Sequence, residues 1–376
     1  MKKFVELIQR MHNERYSVVL DKIVAEKIPV AFLTILPIDQ AIEKVKDLRA
    51  RNLNIDNLIT FSHPPAISES FKITSLDDIS KIHPRPEYIF ATDPLDARIA
   101  IKYAPDCAVI YPTGRDSEEI YNTFMEHLPE LQEAYESLID EESKKTFCGY
   151  LLSSVSDRLG EVVYSNNVHY LLEGFIPKAG DVVIDGGVCD GETAAFFADM
   201  GCKVYGFELD KNNFDIAKKL ADKKNFVVEN FGLGSYRHKI NYTPSGSMSK
   251  FDSNGTETAE VITLDSYVRE KNIQHVDFIK LDVEGAELEL LQGSVMTIAR
   301  FKPVLALSAY HKWDDFWTLM KFVKSIRSDY EFAMRQYTTH YDDAPKQFDN
   351  GLGDLLYKLG LDINVHWYNE CVLFAR

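Results

Sequence analysis

The chain has 376 residues and a formal net charge of −16 at pH 7. This length exceeds one typical hydrophobic core, so two domains are expected. Hydrophobic residues at 45% and charged residues at 27% are ordinary for a soluble globular protein. The negative charge argues against a nucleic-acid or anionic-membrane partner, because both select basic protein faces.

The five cysteines show neither paired nor metal-ligand spacing: Cys107, Cys148, Cys189, Cys202 and Cys371. The first residues lack a signal-peptide pattern, and no apolar run is long enough to span a bilayer. We therefore expect free thiols in a reducing cytosol, and a cytoplasmic protein. Composition leaves a homo-oligomer open.

The first 115 residues alternate predicted strands and helices. The predicted strands are 30–35, 58–61, 88–91 and 108–111, and the predicted helices are 4–11, 38–51 and 97–103. This alternation predicts a small Rossmann-like α/β domain with a parallel sheet over residues 1–115. It contains no glycine-rich phosphate loop, so no cofactor is assigned to it.

Residues 116–172 are predicted to form a helical connector, because apolar residues recur at helical spacing, as at Ile120, Phe124 and Leu128. His169 and Tyr170 come just before the next predicted strand. They could lie over a ligand held by that strand or pack in the core.

A glycine turn opens the third segment, residues 173–376. The apolar strand 182–184 ends in Asp185, and Gly186, Gly187 and Gly191 follow before a predicted helix. Neither register fits G-x-G-x-x-G, the pattern that places a pyrophosphate on a helix N-terminus. A carboxylate at the turn also suits the cationic amino and sulfonium groups of S-adenosylmethionine (SAM) better than a pyrophosphate. The turn therefore predicts a SAM site, with an ordinary strand-to-helix turn as the alternative.

Three further strands each end in an acidic residue: 204–208, 226–229 and 278–282. Glu208 lies at the offset where an acid can hold ribose hydroxyls, and either Glu229 or the turn from Asn230 to Leu233 would lie near the adenine. Carboxyl ends of parallel strands share one rim of a sheet. The predicted cofactor-binding residues are Asp185, Gly186, Gly187, Cys189, Gly191, Glu208, Glu229, Asp282 and Tyr170.

The remaining predicted elements are a helix from Ala286 to Ile298, a strand at 304–309, a helix at 317–326, and closing strands at 330–335 and 371–375. The stretch from Thr338 to Glu370 is long for a connection, and connections of that length tend to be lids or disordered. Its aromatic and histidine residues make a lid plausible: His340, Tyr341, His366 and Trp367.

The segment 276–293 reads Val-Asp-Phe-Ile-Lys-Leu-Asp-Val-Glu-Gly-Ala-Glu-Leu-Glu-Leu-Leu-Gln-Gly. It resembles the FkbM family of SAM-dependent methyltransferases, whose pattern D-F-I-K-x-D-V-E-G-x-E-x-x-x-L-x-G it matches at nearly every position. Residues 262–267 and the glycine turn are similar to other family segments, with Cys189 and Asp190 as departures. The phrase Tyr310-His311-Lys312 resembles one branch of the family.

This resemblance covers about residues 160–376. It implies a class I SAM-methyltransferase fold over residues 173–376, with a mostly parallel Rossmann-like sheet and an antiparallel last strand. It also implies methylation of hydroxyl groups, often on sugars in polysaccharide or natural-product pathways. A small-molecule or saccharide substrate is therefore expected.

Methyl transfer to a hydroxyl benefits from a general base within hydrogen-bond reach. His311 is the first candidate, because an unperturbed imidazole pKa suits the task, and Asp282 is the second. Lys280 is expected to neutralise Asp282 or Glu284, or to contact the substrate. The alternatives are structural: His311 lining the cleft, Lys280 in a buried ion pair, and Glu284 and Glu287 favoured by the start of a helix. No spacing is diagnostic of a metal, so no metal ligand is assigned, although a divalent metal at Asp282 stays open.

Two other functions stay open beside O-methylation. One is N-methylation of an amino sugar or small amine, which needs less from a base. The other is a non-catalytic SAM-binding or scaffold module. An NAD oxidoreductase is disfavoured by the missing glycines.

Overall fold

The computed structural model describes residues 2–35, 38–60, 72–91, 94–244, 246, 250–251, 254–340, 359, 361 and 365–376. The chain divides into two compact units. Unit 1 contains residues 1–128, 145–164 and 338–369, and unit 2 contains residues 129–144, 165–337 and 370–376. The domain limits drawn from the sequence stay predictions.

Unit 1 contains a parallel five-stranded sheet. Its strands are β1 (Val30–Thr34), β2 (Ile55–Thr60), β3 (Lys72–Ser75), β4 (Tyr88–Ala91) and β5 (Ala108–Ile110). The spatial order is β3-β2-β1-β4-β5, and every pair of neighbours is parallel. Its helices are α1 (Lys2–Glu14), α2 (Tyr16–Glu26), α3 (Ile38–Ala50), α4 (Pro94–Tyr103) and α5 (Ser117–Glu126), and Leu76–Lys81 and Leu159–Glu161 form 3₁₀ turns.

The central strand β1 is buried on both faces. Ala31 and Leu33 pack into one hydrophobic cluster, and Val30 and Phe32 pack into another. Successive side chains of a strand point to opposite faces, so this alternation shows one apolar layer on each side of the sheet. The strand reads as a continuous apolar run for this reason.

Asp157 lies in a buried pocket of unit 1 and gives a testable pH dependence. Its side chain is 5% exposed and accepts a hydrogen bond from Thr113 Oγ1 at 2.9 Å. Burial raises the pKa of Asp157 to about 6, and the hydrogen bond from Thr113 only partly opposes this. A carboxyl whose pKa is raised on folding loses stability as pH rises through that range.

We therefore expect Asp157→Asn to be more stable than the parent chain above pH 6, by up to about 3 kcal/mol. The difference should shrink towards pH 4, where the carboxyl is protonated in the folded chain and about half protonated in the unfolded chain. Urea denaturation between pH 4 and 8 measures it, with the exposed Asp21→Asn as control. Equal pH dependence for all three proteins would contradict this account.

The remaining helices are α6 (Leu128–Ser137), α7 (Glu141–Ser156), α8 (Glu192–Asp199), α9 (Lys211–Lys224), α10 (Leu264–Glu270), α11 (Glu287–Gln292), α12 (Val295–Phe301) and α13 (Asp315–Ile326). The helical pattern predicted for residues 116–172 ends at Ser156, and residues 162–172 are not helical. Among the helices that the structure describes, none combines the length and the apolar content needed to cross a membrane.

The remaining strands are β6 (Val182–Gly186), β7 (Lys203–Phe207), β8 (Val227–Glu229), β9 (Gly232–Leu233), β10 (His238–Thr243), β11 (Lys250–Phe251), β12 (Glu257–Ile262), β13 (Phe278–Leu281), β14 (Val304–Ser308), β15 (Phe332–His340) and β16 (Val365–Ala375). A seven-stranded sheet has the order β15-β16-β14-β13-β6-β7-β8. Its strands from β14 to β8 are parallel, and β16 is antiparallel to β14. This confirms the predicted mostly parallel sheet with an antiparallel closing strand.

A second, four-stranded sheet of unit 2 was not predicted. Its order is β11-β10-β12-β9. Most residues of β10 and the first half of β12 are exposed or half-buried, so the sequence carries little of the apolar pattern by which strands are recognised. Tyr242 is the buried exception, and its hydroxyl accepts a hydrogen bond from Lys211 N–H at 3.1 Å.

The single helix predicted from Ala286 to Ile298 is wrong, because the structure divides it into α11 and α12 at Gly293. A Cβ atom at Gly293 would lie 2.0 Å from the carbonyl oxygen of Gly234. The chain therefore needs glycine where these two segments touch, and this close approach accompanies the break.

The predicted lid falls mainly outside the described residues, which omit 341–358, 360 and 362–364. Part of the stretch is regular structure, since β15 extends to His340 and β16 begins at Val365. The lid stays a prediction. All five cysteines are free thiols.

Candidate cofactor and acceptor site

The glycine turn after β6 packs tightly against the neighbouring strand end. Gly187 has a φ of +80°, and a Cβ atom there would lie 1.8 Å from the carbonyl oxygen of Asp282. The N–H groups of Gly187 and Val188 both donate to the carbonyl of Phe207, at 3.0 and 3.1 Å. The turn therefore requires glycine where it passes between the ends of β7 and β13.

Other amides of the turn are also used internally. Cys189 N–H donates to Glu208 Oε2 at 2.8 Å, and Gly191 N–H donates to Val188 O at 3.0 Å. Backbone amides at a helix N-terminus could hold the methionine carboxylate of SAM. The amides of Gly187, Val188, Cys189 and Gly191 are already used for other hydrogen bonds, because they close the turn.

Asp185 and Lys280 form a buried ion pair at the centre of the sheet. The register of β6 and β13 places them side by side, with Lys280 Nζ 2.9 Å from Asp185 Oδ1. Asp185 is 0% exposed and Lys280 3%. Burial raises the pKa of Asp185 against the opposing charge of Lys280, whereas Asp185 and Asp282 outweigh burial and raise the pKa of Lys280.

Lys280 also donates to the carbonyl oxygen of Gly187 at 2.6 Å. Its ion-pair partner is therefore Asp185 rather than the expected Asp282 or Glu284, and its burial removes it from substrate contact. These contacts favour the structural alternative named in the sequence analysis, a buried ion pair that fixes the glycine turn, and the catalytic role of Lys280 stays a prediction.

Glu208 follows β7 at the predicted position. Its two carboxylate oxygens accept hydrogen bonds from the N–H groups of Asp210 and Cys189, each at 2.8 Å. Burial raises the pKa of Glu208 to about 7, although these N–H groups oppose the shift. Each oxygen retains a further lone pair for a ligand hydroxyl.

Glu229 is engaged on the side of α10. It accepts from the hydroxyl of Tyr267 at 3.0 Å and lies 3.0 Å from Lys271 Nζ. These contacts do not test whether Glu229 lies near an adenine, so the assignment of Glu229 to the cofactor site stays a prediction.

Asp282 lies beyond the end of β13 between two tyrosine hydroxyls. Tyr170 donates to Oδ2 at 2.9 Å and Tyr310 donates to Oδ1 at 3.2 Å. Burial alone would raise the pKa of Asp282, but the charges of Lys280 and His311 hold it below its usual value. Tyr170 has a φ of +61°, and its ring lies 5.5 Å from Lys280 Nζ. Tyr170 therefore lies beside the groups around the turn, and its contact with a cofactor stays a prediction.

His311 follows β14 and is surrounded by carboxylates. Its Nδ1 lies 2.9 Å from Glu287 Oε1, and its Nε2 lies 3.6 Å from Asp282 Oδ1 and 3.8 Å from Glu284 Oε2. Burial would lower the pKa of His311, but the hydrogen bond and charge of Glu287, with the charges of Asp282 and Glu284, raise it to about 9. The unperturbed pKa that made His311 the first general-base candidate is therefore wrong for this environment.

The structure thus brings the glycine turn, Glu208, Asp282 and His311 to one edge of the sheet. It adds Glu287 and Tyr310, to which the sequence gave no chemical role. Glu287 is 1% exposed and accepts from Val283 N–H at 3.0 Å while it contacts His311. Only the spacing of Glu287 within the 276–293 motif could have marked it, since His311 is remote in sequence.

The strand order, the antiparallel strand β16 and the glycine turn after β6 define a class of protein, the Rossmann-like methyltransferases. Residues 185–342 match the family model described as the Methyltransferase FkbM domain. This part of the chain is therefore a methyltransferase FkbM domain, which confirms the resemblance inferred from the sequence.

Two known proteins illustrate the relationship. The crystal structure of methyltransferase FkbM from Methylobacillus flagellatus KT matches with a TM-score of 0.61 and 17% identity, over 99% of this chain and 98% of that chain. At this identity the likeness concerns the fold. The hexuronic acid methyltransferase AglP of Haloferax volcanii is 29% identical over 107 residues, which are 27% of this chain and 45% of that protein. The match thus spans less than half of that relative.

Proposed function

We propose that this chain is a SAM-dependent O-methyltransferase that acts on a hydroxyl group of a saccharide. The observation that carries the proposal is the meeting of a glycine turn, Glu208 and Asp282 at the carboxyl edge of one parallel sheet. Ligands of open α/β sheets bind at that edge. The match to a methyltransferase family supports the reaction, and the hexuronic acid methyltransferase supports the substrate class.

SAM would bind over β6 and β7. Glu208 would accept hydrogen bonds from the ribose hydroxyls, and its two backbone hydrogen bonds fix the carboxylate for that task. The acidic surroundings of Asp185, Glu208 and Asp282 favour the positive charges of SAM. Asp185 would act on the SAM amino group through water, because Lys280 and burial keep it from direct contact.

The acceptor would lie over β13 and β14. Its hydroxyl oxygen attacks the methyl carbon of the sulfonium, a C–O bond forms as the C–S bond breaks, and S-adenosylhomocysteine leaves. The hydroxyl proton must pass to a group nearby, and Asp282 and His311 are the two residues placed to receive it or to direct it. Tyr170 and Tyr310 orient the carboxylate of Asp282. Alignment of reactants supplies much of the rate in such displacements.

Calorimetry with SAM tests the cofactor half of the proposal. We expect Glu208→Gln to bind SAM about 10–100-fold more weakly, because a hydrogen bond to a charged group contributes about 1.5–3 kcal/mol. Asp199→Asn is the matched control, since Asp199 is exposed and pairs only with Lys224 in the ion pairs described. A folded parent chain without SAM binding would overturn the proposal.

Turnover with a panel of uronic acids, neutral sugars and amino sugars tests the acceptor half. We expect Asp282→Asn to lower kcat by at least about 100-fold while SAM binding persists. Methylation of amino sugars alone would move the assignment to N-methylation, and SAM binding without turnover on any acceptor would favour a non-catalytic module.

A further inference from the structure

The imidazole of His311 has one ring nitrogen that faces two carboxylates without touching either. Its Nε2 is 3.6 Å from Asp282 Oδ1 and 3.8 Å from Glu284 Oε2, beyond hydrogen-bond length. Among the residues that the structure describes, Nε2 has no hydrogen-bond partner, although the His311 side chain is only 10% exposed. A buried polar atom aimed into such a gap requires an occupant.

We propose that Asp282, Glu284 and His311 bind a divalent metal cation through Oδ1, Oε2 and Nε2. Two ligand atoms that each lie about 2.1 Å from one tetrahedral cation are about 3.4 Å apart. Nε2 lies 3.6 and 3.8 Å from the two carboxylate oxygens, close to this spacing, and Glu284 has to move towards Asp282 to complete the site. Two carboxylates and one imidazole suit manganese, iron or zinc better than magnesium or calcium. Asp282 and Glu284 have side chains 24% and 29% exposed, which leaves an open side for a further ligand.

The surrounding hydrogen bonds are those of a prepared metal site. Glu287 Oε1 accepts from His311 Nδ1–H, which leaves Nε2 as the nitrogen that would bind the cation after loss of its proton. Tyr170 holds the other oxygen of Asp282. Among the described residues, the trio whose ligating atoms all lie within 4.8 Å of one another is Asp282, Glu287 and His311, without Glu284. We place Glu287 behind the ring because its Oε1 is already bound by His311 and Val283 N–H.

The charge of the cluster also favours a cation. Asp282, Glu284 and Glu287 all approach His311 within 4 Å. Three carboxylates this close repel one another, and Lys280, which also pairs with Asp185, offsets only part of their charge. A divalent cation with a neutral imidazole would offset two of the three negative charges.

The role of the cation rests on the proposed function, whereas the site itself is argued from these side chains alone. The cation would bind the acceptor through its hydroxyl and a second oxygen, such as a uronate carboxylate or a neighbouring hydroxyl. Coordination lowers the pKa of a bound hydroxyl and so eases proton loss. The sequence assigned no metal ligand and left a divalent metal at Asp282 open, and this proposal takes up that alternative.

The experiment is a titration of the full chain with Mn²⁺ in the absence of SAM, followed by electron paramagnetic resonance. We expect saturable binding of one Mn²⁺ per chain, with a nitrogen coupling from His311 that is lost in His311→Gln. Glu287→Gln should weaken binding about 10–100-fold, as loss of an outer-shell partner does. Glu289→Gln is the matched control, because it neutralises a carboxylate of the same helix that is 51% exposed and lies 3.8 Å from Lys312 Nζ.

Absence of saturable Mn²⁺ binding, with Zn²⁺ also failing to shift the thermal unfolding of the chain, would overturn the proposal. Equal Mn²⁺ affinity in Glu287→Gln, Glu289→Gln and the parent chain would also overturn the proposal. Circular dichroism of each variant checks that it is folded. SAM binding is measured on the same samples. If the chain binds SAM but not Mn²⁺, the metal site is wrong and the proposed function stands. If it binds Mn²⁺ but not SAM, the proposed function is wrong and the metal site stands.

Discussion

Lys280→Met is expected to destabilise the chain by about 3–5 kcal/mol, because it leaves the carboxylate of Asp185 buried without a partner. Lys280 Nζ lies 2.9 Å from Asp185 Oδ1, and neither side chain is more than 4% exposed. The loss should be larger at pH 8 than at pH 5, since Asp185 can accept a proton at lower pH. Urea denaturation at the two pH values measures it.

The double variant Lys280→Met with Asp185→Asn is the matched control. It removes both charges, so we expect it to recover much of the lost stability, as replacement of a whole buried ion pair does. If the double variant is as unstable as Lys280→Met, the cost comes from lost packing or from the hydrogen bond to Gly187, and the ion pair is not the cause.

Gly187→Ala is expected to cost about 2–5 kcal/mol and to reduce SAM affinity. The added methyl group brings backbone strain at a φ of +80° and a Cβ only 1.8 Å from the carbonyl oxygen of Asp282. The backbone must move, and with it the turn and the carboxylate of Asp282. Thermal unfolding and SAM calorimetry measure the two effects.

Gly180→Ala is the control that distinguishes the cost of backbone strain at positive φ from the cost of a steric clash of the added Cβ. Gly180 has a φ of +93°, but an added Cβ meets nothing within 4 Å. We expect it to lose only about 1–2 kcal/mol and to keep SAM binding. Equal losses in the two variants would show that the contact between Gly187 and Asp282 has no energetic weight.

The strands and strand ends that were predicted correctly are those that depend on residues adjacent in the sequence. The apolar strands ending in Asp185, Glu208 and Asp282 lie where the pattern placed them, because buried parallel strands read as continuous apolar runs. The short strand β3 and the helix α2 were missed. The four-stranded sheet was missed too, since β10 exposes most of its residues and lacks that pattern.

The errors arose where distant segments meet. Lys280 was assigned to Asp282 within its own strand, but the register with β6 pairs it with Asp185. The helix break at Gly293 depends on contact with Gly234, and the environment of His311 depends on Glu287. The sequence identifies each of these residues, but it does not show which residue from a distant segment lies beside it. That neighbour determines the ion pair that the residue forms and the direction in which its pKa shifts.

The contact between Gly187 and Asp282 also bears on how this enzyme class can diversify. The Asp282 backbone is held against the glycine turn, whereas its carboxylate faces Tyr310 and His311. If SAM and the acceptor bind as proposed, positions after β14 can be exchanged to suit a new acceptor while the turn beside SAM keeps its shape. Asp282 would then serve both ligands, so redesign of substrate range should begin at Tyr310 and leave Asp282 unchanged.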